Sequence, residues 1–151
     1  MRAVVQRVRR AAVEAEGRPV AAIGAGLVAL VGVARGDGPR QANWVAEKLA
    51  HLRIFQGPAG QLDRSVLEAG GAVLVVSQFT LLGDARRGRR PDFAAAAPAR
   101  AARPLVDAVV DKLRLLGVQT SAGVFQAHMV VSLENDGPVT LVLDTPASPP
   151  L

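Results

Sequence analysis

The sequence predicts a mixed α/β domain with much antiparallel pairing and two main helices. Three observations predict it. The elements run strands, helix, strand, helix, strands, without the strict βαβ alternation of a parallel fold. The early strands follow one another through short glycine and proline breaks, as hairpins do. Residues 72–76, Ala-Val-Leu-Val-Val, form a continuous apolar run, the mark of a strand buried on both faces.

Each element has its own local reason. Residues 2–16 read as a strand, with Ala3, Val4 and Val5 apolar and Val13 continuing the pattern. Gly17-Arg18-Pro19 is a turn, and residues 20–23 and 27–33 read as two further strands separated around Gly24 and Gly26. Gly36-Asp37-Gly38-Pro39 breaks the chain and suits a helix entry. The helix then spans about 40–53, with Trp44, Val45, Leu49 and Leu52 at helical spacing. After the buried strand, residues 83–97 read as a loop carrying four arginines. A second helix spans about 101–116, with Leu105, Val109, Leu113 and Leu116 on one stripe. Pro104 fits there only within the first turn. Two last strands, about 124–133 and 139–144, flank an Asn-Asp-Gly-Pro turn. One domain is expected over 1–145. A Pro-rich tail, expected to be disordered, follows at 146–151.

A chain of 151 residues suits one domain. It is 50% hydrophobic but 3% aromatic, so Val, Leu, Ala and Ile must build the core. No apolar run approaches the ~20 residues of a membrane span, and the start lacks a signal peptide's apolar stretch. With no cysteine, disulfides, thiol catalysis and thiolate metal sites are excluded. A soluble cytoplasmic protein is expected. The formal net charge is +5, and the basic residues are arginine apart from Lys48 and Lys112. Arginine grips phosphate with paired hydrogen bonds, so a nucleic-acid partner fits. A GC-rich genome would enrich arginine in the same way, and charge alone does not decide.

Few side chains offer chemistry. His51 lies in the first helix, and His128 in a strand pattern without a carboxylate at partner spacing. No metal site is expected, nor any cofactor, since Gly24-Ala25-Gly26 lacks the spacing of a phosphate-binding loop. Thr80 is a candidate nucleophile, but a hydroxyl needs a base and none is identifiable. The competing reading is that Ser77 and Thr80 satisfy backbone groups where the strand ends.

Two polar breaks stand out: Ser77-Gln78-Phe79-Thr80-Leu81 at the end of the buried strand, and Asn135-Asp136-Gly137-Pro138-Val139-Thr140 near the end of the chain. In this order and separation they resemble the D-aminoacyl-tRNA deacylases. The resemblance runs from Arg2 to about Leu143. It includes Gln6-Arg7-Val8, Arg53-Ile54-Phe55, Gly70-Gly71, Arg90-Pro91, and Gly123-Val124-Phe125 with Met129. Departures are His128, where an acidic residue is common, and Asp92, where Ser is common.

The resemblance implies a compact, largely antiparallel barrel-like sheet with the two main helices packed outside it, a homodimer and hydrolysis of the ester between a D-amino acid and tRNA, with misattached glycine as a second substrate. Ser77, Gln78, Phe79 and Thr80 would form the catalytic pocket, Phe79 and Thr80 through their N–H groups. It implies that Gly137-Pro138 is cis and enters the partner subunit's pocket as a chiral filter, with Arg7 holding it. Phe125 and Met129 would bind the tRNA 3′ end; equally, both suit core positions at strand spacing. Arg86, Arg87, Arg89 and Arg90 form either a solvated loop or phosphate contacts. The rival readings are a sister deacylase accepting small L-amino acids, a non-enzymatic RNA-binding module, and a general esterase. The intact motif pair favours the D-specific type. Low aromatic content argues against a stacking platform. No Ser-His-acid set marks the esterase.

Overall fold

The computed structural model describes residues 1–147. Its elements are β1 (Arg2–Ala15), β2 (Arg18–Ile23), β3 (Gly26–Gly32), α1 (Pro39–His51), β4 (Phe55–Gln56), β5 (Leu62–Arg64), α2 (Val66–Ala69), β6 (Ala72–Ser77), a 3-10 turn (Phe79–Leu82), α3 (Ala99–Leu115), β7 (Gln119–Ala122) and β8 (Met129–Asp144). Among the described residues no helix is long and apolar enough to cross a membrane.

The main sheet has the order β2-β1-β3-β6-β7, with β8 also paired to β1. Strand β1 is antiparallel to β8 along its length. On its other edge it pairs first with β3, over residues 2–8, and then with β2, over residues 11–15. Strands β3, β6 and β7 are parallel. The sheet curls until β2 approaches β6 and β7, giving the nearly closed, barrel-like mixed sheet that was expected.

This curl makes two apolar layers from alternating residues. Leu27, Val31, Val73 and Val75 face outward onto Val45 and Leu49 of α1 and Val109 and Leu113 of α3. Val28, Leu74 and Val76 face the other way, onto Val8, Val13 and Ile23. Strand β6 is therefore buried on both faces, which accounts for its unbroken apolar run. Truncating a fully buried leucine such as Leu49 or Leu113 to alanine would cost about 2–5 kcal/mol.

Several expectations need correction. The last two strands are one, β8, and Asn135-Asp136-Gly137-Pro138 is not a turn between them. Gln6 pairs with Thr140 and Val8 with Asn135, so residues 136–139 form a bulge opposite Arg7 alone, with Val139 turned into the core. A hairpin would reverse the chain; here the strand resumes in its original direction because β1 supplies partners on both sides of the bulge. Residues 124–128 precede β8 rather than belonging to it. Pro104 lies beyond the first turn of α3, which begins at Ala99. It is exposed, on the side away from the buried stripe.

Strands β4, β5 and β7 and helix α2 were not anticipated. Helix α2 had a readable signal. Ser65 Oγ accepts from the Glu68 N–H at 3.2 Å, and the Glu68 carboxylate accepts from the Ser65 N–H at 2.7 Å. This reciprocal cap is written in the sequence as Ser-x-x-Glu. Gly70, at φ 67°, then ends the helix in the left-handed region. Of the Pro-rich tail, residues 148–151 lie outside the described residues; residues 145–147 have no regular structure.

The close pairing of β3 with β6 depends on Gly26. A Cβ there would lie 1.8 Å from the Ala72 carbonyl oxygen, and backbone cannot swing aside as a side chain can. Gly26→Ala is expected to destabilise the fold by more than the roughly 1–3 kcal/mol of ordinary overpacking. The midpoint of urea unfolding measures this; an unchanged midpoint would show that the two strands separate freely.

Candidate active site

Strand β6 ends at Ser77, and the chain turns at once into the 3-10 turn Phe79–Leu82. The turn is held to β3: the Gln78 N–H donates to the Val31 carbonyl at 2.8 Å. Gly32 permits this approach, because a Cβ there would lie 2.8 Å from the Gln78 carbonyl oxygen and 2.5 Å from Leu82 Cδ2. Within the turn Leu81 N–H reaches the Gln78 carbonyl and Gly83 N–H the Thr80 carbonyl. The N–H groups of Phe79 and Thr80 come before these bonds begin. Neither has a backbone or side-chain acceptor among the described residues.

Beside the turn lies a cleft of about 520 Å³. Ser77, Gln78 and Phe79 form one wall, with Val33 and Val76. Ala99 and Ala102 of α3 form another, and Phe125, Gln126, Ala127, Met129 and Val131 close it. The structure thus brings Ser77, Gln78 and Phe79 together with Phe125 and Met129. Phe125 belongs to the loop before β8, and Met129 opens that strand. Gly123 leaves room for the thioether: a Cβ there would lie 2.6 Å from Met129 Sδ. Phe79 is 56% exposed and meets Phe93 edge to face, with centroids 5.2 Å apart.

Thr80 is exposed at the edge of this wall and does not line the cleft. Its Oγ1 accepts a hydrogen bond from the Gln78 side-chain amide. No histidine lines the cleft. His51 is exposed beside Glu47 on α1, and the His128 backbone pairs with Glu16 at the far end of β1. No group of His, Asp or Glu among the described residues could hold a metal ion.

Arg7 is buried, with 6% of its surface exposed. Its Nη1 donates to the Ile54 carbonyl at 2.7 Å and its Nε to the Asp136 carbonyl at 3.1 Å. The Asp136 carboxylate lies 3.3 Å from Nε. Asn135 Nδ2 donates to the carbonyls of Arg7 and Val139, so the bulge is tied at both ends. The Gly137-Pro138 peptide on it is cis, both residues are exposed, and neither lines this chain's cleft.

The arginine loop is closed by paired backbone bonds between Asp84 and Asp92, at 2.7 and 2.9 Å. Arg86 is engaged within it: its Nε and Nη2 donate to the Asp84 carboxylate at 2.9 and 2.6 Å. Arg87, Arg89 and Arg90 are exposed. The side-chain bonds from Arg86, and then its backbone N–H, hold the Asp84 carboxyl at about 2, below its ordinary 3.8.

The curled mixed sheet thus carries an end-of-strand 3-10 turn beside a cleft whose lining holds no titrating side chain. The chain is matched over residues 4–144 by the family described as D-Tyr-tRNA(Tyr) deacylase, and it belongs to that family. A D-aminoacyl-tRNA deacylase of Heliobacterium modesticaldum is 59% identical over 144 residues, covering 95% of this chain and 96% of its own. A solved structure titled c-Myc DNA Unwinding Element Binding Protein superposes with a TM-score of 0.90 at 36% identity, covering 97% of this chain and 100% of that one. Another, titled as a probable eukaryotic D-amino acid tRNA deacylase, has a TM-score of 0.81 at 17% identity over 95% and 98%, and shares the fold.

The motif residues were legible in the sequence. The α3 wall, Gln126 at φ 64° and the support from Gly32 were not. Helical periodicity reports which residues are apolar, not which of them face a cleft.

A carboxyl lowered by pairing contributes to loop closure fully above its unfolded value. That contribution is lost as pH falls through about 2. Carbon-13 NMR titration of Asp84 should give a midpoint near 2, and Arg86→Ala should return it toward 3.8. A midpoint already at 3.8 in the unaltered protein would remove this ion pair.

Proposed function

We propose that the protein hydrolyses the ester of D-aminoacyl-tRNA, and of misattached glycyl-tRNA, and rejects the L-aminoacyl form. The observation that carries this reading is the pair of unpartnered N–H groups, Phe79 at the wall of a cleft without a titrating base and Thr80 at the edge of that wall. Backbone donors suit an ester, which is already activated relative to an amide. They stabilise the developing oxyanion without any proton transfer of their own; losing one such donor costs roughly 10²–10³ in rate. The vicinal 2′-hydroxyl of the terminal ribose supplies the remaining assistance to the attacking water. Ser77 and Gln78 shape the pocket. Phe125 and Met129 receive the terminal base, through ring stacking and a soft thioether.

The chiral filter is the exposed Gly137-Pro138 pair of a second copy of the chain, entering this cleft. The bulge is tied by Arg7 and Asn135, and its exposed Gly137-Pro138 pair takes no part in its own cleft's lining, as a part offered to a neighbour would. Carbonyl groups on a braced backbone exclude an L side chain better than a side-chain wall, which can rotate away. Glycine, without a side chain, passes. Arg87, Arg89 and Arg90 contact phosphates of the tRNA body; Arg86, already paired, contributes less. A tRNA substrate implies a cytoplasmic enzyme, and a filter supplied by a second copy implies a homodimer.

The deciding experiment is a deacylation assay on matched D-, L- and glycyl-tRNA. A packing clash of ~1–3 kcal/mol alone would give about five- to 150-fold discrimination. A braced backbone filter is expected to exceed about a thousandfold for D over L, with glycyl-tRNA cleaved. Comparable rates on both enantiomers would refute the reading, and cleavage of small L-aminoacyl-tRNA would favour the sister type.

Thr80→Ala tests the chemistry. The variant removes one neutral hydrogen bond to Gln78 and no catalytic hydroxyl, so activity should stay within about tenfold. A loss of several orders of magnitude, with the fold and tRNA binding intact, would restore a side-chain nucleophile.

A further inference from the structure

Arg103 of α3 is exposed, and its guanidinium carbon lies 5.9 Å from the centre of the Phe125 ring. Phe125 lines the cleft, as does Ala102, the residue just before Arg103. Neither Arg103 nor Arg100, three residues earlier and so on the same helix face, forms an ion pair among the described residues. The first turn of α3 has no acidic residue. The mouth of the cleft on this side is therefore positively charged, with a guanidinium whose position the aromatic ring biases.

We propose that Arg103 binds the phosphodiester that joins the 3′-terminal nucleoside to the rest of the tRNA. The inference rests on the deacylase reading and adds the part of the substrate recognised at the cleft mouth. A terminal nucleoside against Phe125 and Met129 carries its first formal negative charge on that phosphodiester, where the chain leaves the cleft. The planar fork of arginine matches two phosphate oxygens, and an arginine without a carboxylate partner has its donors free for them. Arg100 adds charge on the same face without a contact of its own to Phe125. The contact is to backbone phosphate, so it carries no base or amino-acid preference. It sets the register of the ester against the Phe79 and Thr80 N–H groups.

The experiment crosses a protein change with a substrate change. D-aminoacyl-tRNA is prepared with its last phosphodiester intact or replaced by a neutral methylphosphonate, and kcat and KM are measured for wild type, Arg103→Ala and Arg103→Lys. Neutralising that linkage should lower wild-type kcat/KM about ten- to hundredfold, the range of one charge-assisted hydrogen bond, mainly through KM. Arg103→Ala should lose a similar factor on the intact substrate and nothing further on the neutral one. Arg103→Lys keeps the charge without the fork and should fall between. If the two losses multiply, Arg103 acts elsewhere, for example by packing on Phe125, and the proposal is overturned. An Arg103→Ala enzyme as efficient as wild type on the intact substrate overturns it equally. If wild type leaves intact D-aminoacyl-tRNA uncleaved, the deacylase reading fails and takes this proposal with it. Arg103 is exposed, so folding of the variants is not at risk.

Discussion

Strand β1 is the seam on which the molecule is built. Its fourteen residues must satisfy hydrogen-bonding groups on both edges, and no single flat partner does so. One edge belongs to β8 throughout. The other is shared, with β3 taking the first half and β2 the second. A twisted strand that changes partners midway bends the sheet on itself. That bend separates the core into an inner layer and a layer beneath the helices.

The β8 edge has its widest break opposite Arg7. Four residues of β8 leave the ladder opposite this one position. Their backbone groups need partners, and a buried guanidinium needs acceptors. Each need meets the other: Arg7 reaches Asp136 on the bulge and Ile54 after α1, while Asn135 returns bonds to Arg7 and Val139. A polar junction satisfied on all sides makes an exposed loop behave as part of the scaffold. The proposed filter needs such stiffness, since exclusion works only if the excluder cannot yield.

The cleft follows a related logic on the opposite side of β3. Backbone is brought close by glycine at Gly32 and Gly123, and polar reach comes from main-chain N–H groups rather than titrating side chains. The arginines differ in status. Arg7 is structural, Arg86 is committed to Asp84, and Arg103 lies over an aromatic ring with its donors unclaimed by any carboxylate among the described residues. A formal charge of +5 treats them alike; the contacts do not.

Local pattern alone determined much of this protein. The apolar run at 72–76, the helical stripes of α1 and α3 and the glycine-marked early strands depend on neighbours a few residues away, and periodicity records them. The polar breaks at Ser77 and Asn135 were equally visible, and their pairing identified the family. Tertiary structure decided what depends on distant partners. Residues 135–138 have the composition of a hairpin turn, yet the chain does not reverse, because β1 offers partners before and after the bulge. Strand β7 is too polar to announce itself and exists because β6 presents an open edge. The α3 wall of the cleft and the meeting of Arg103 with Phe125 join segments more than twenty residues apart, through packing that no local spacing encodes.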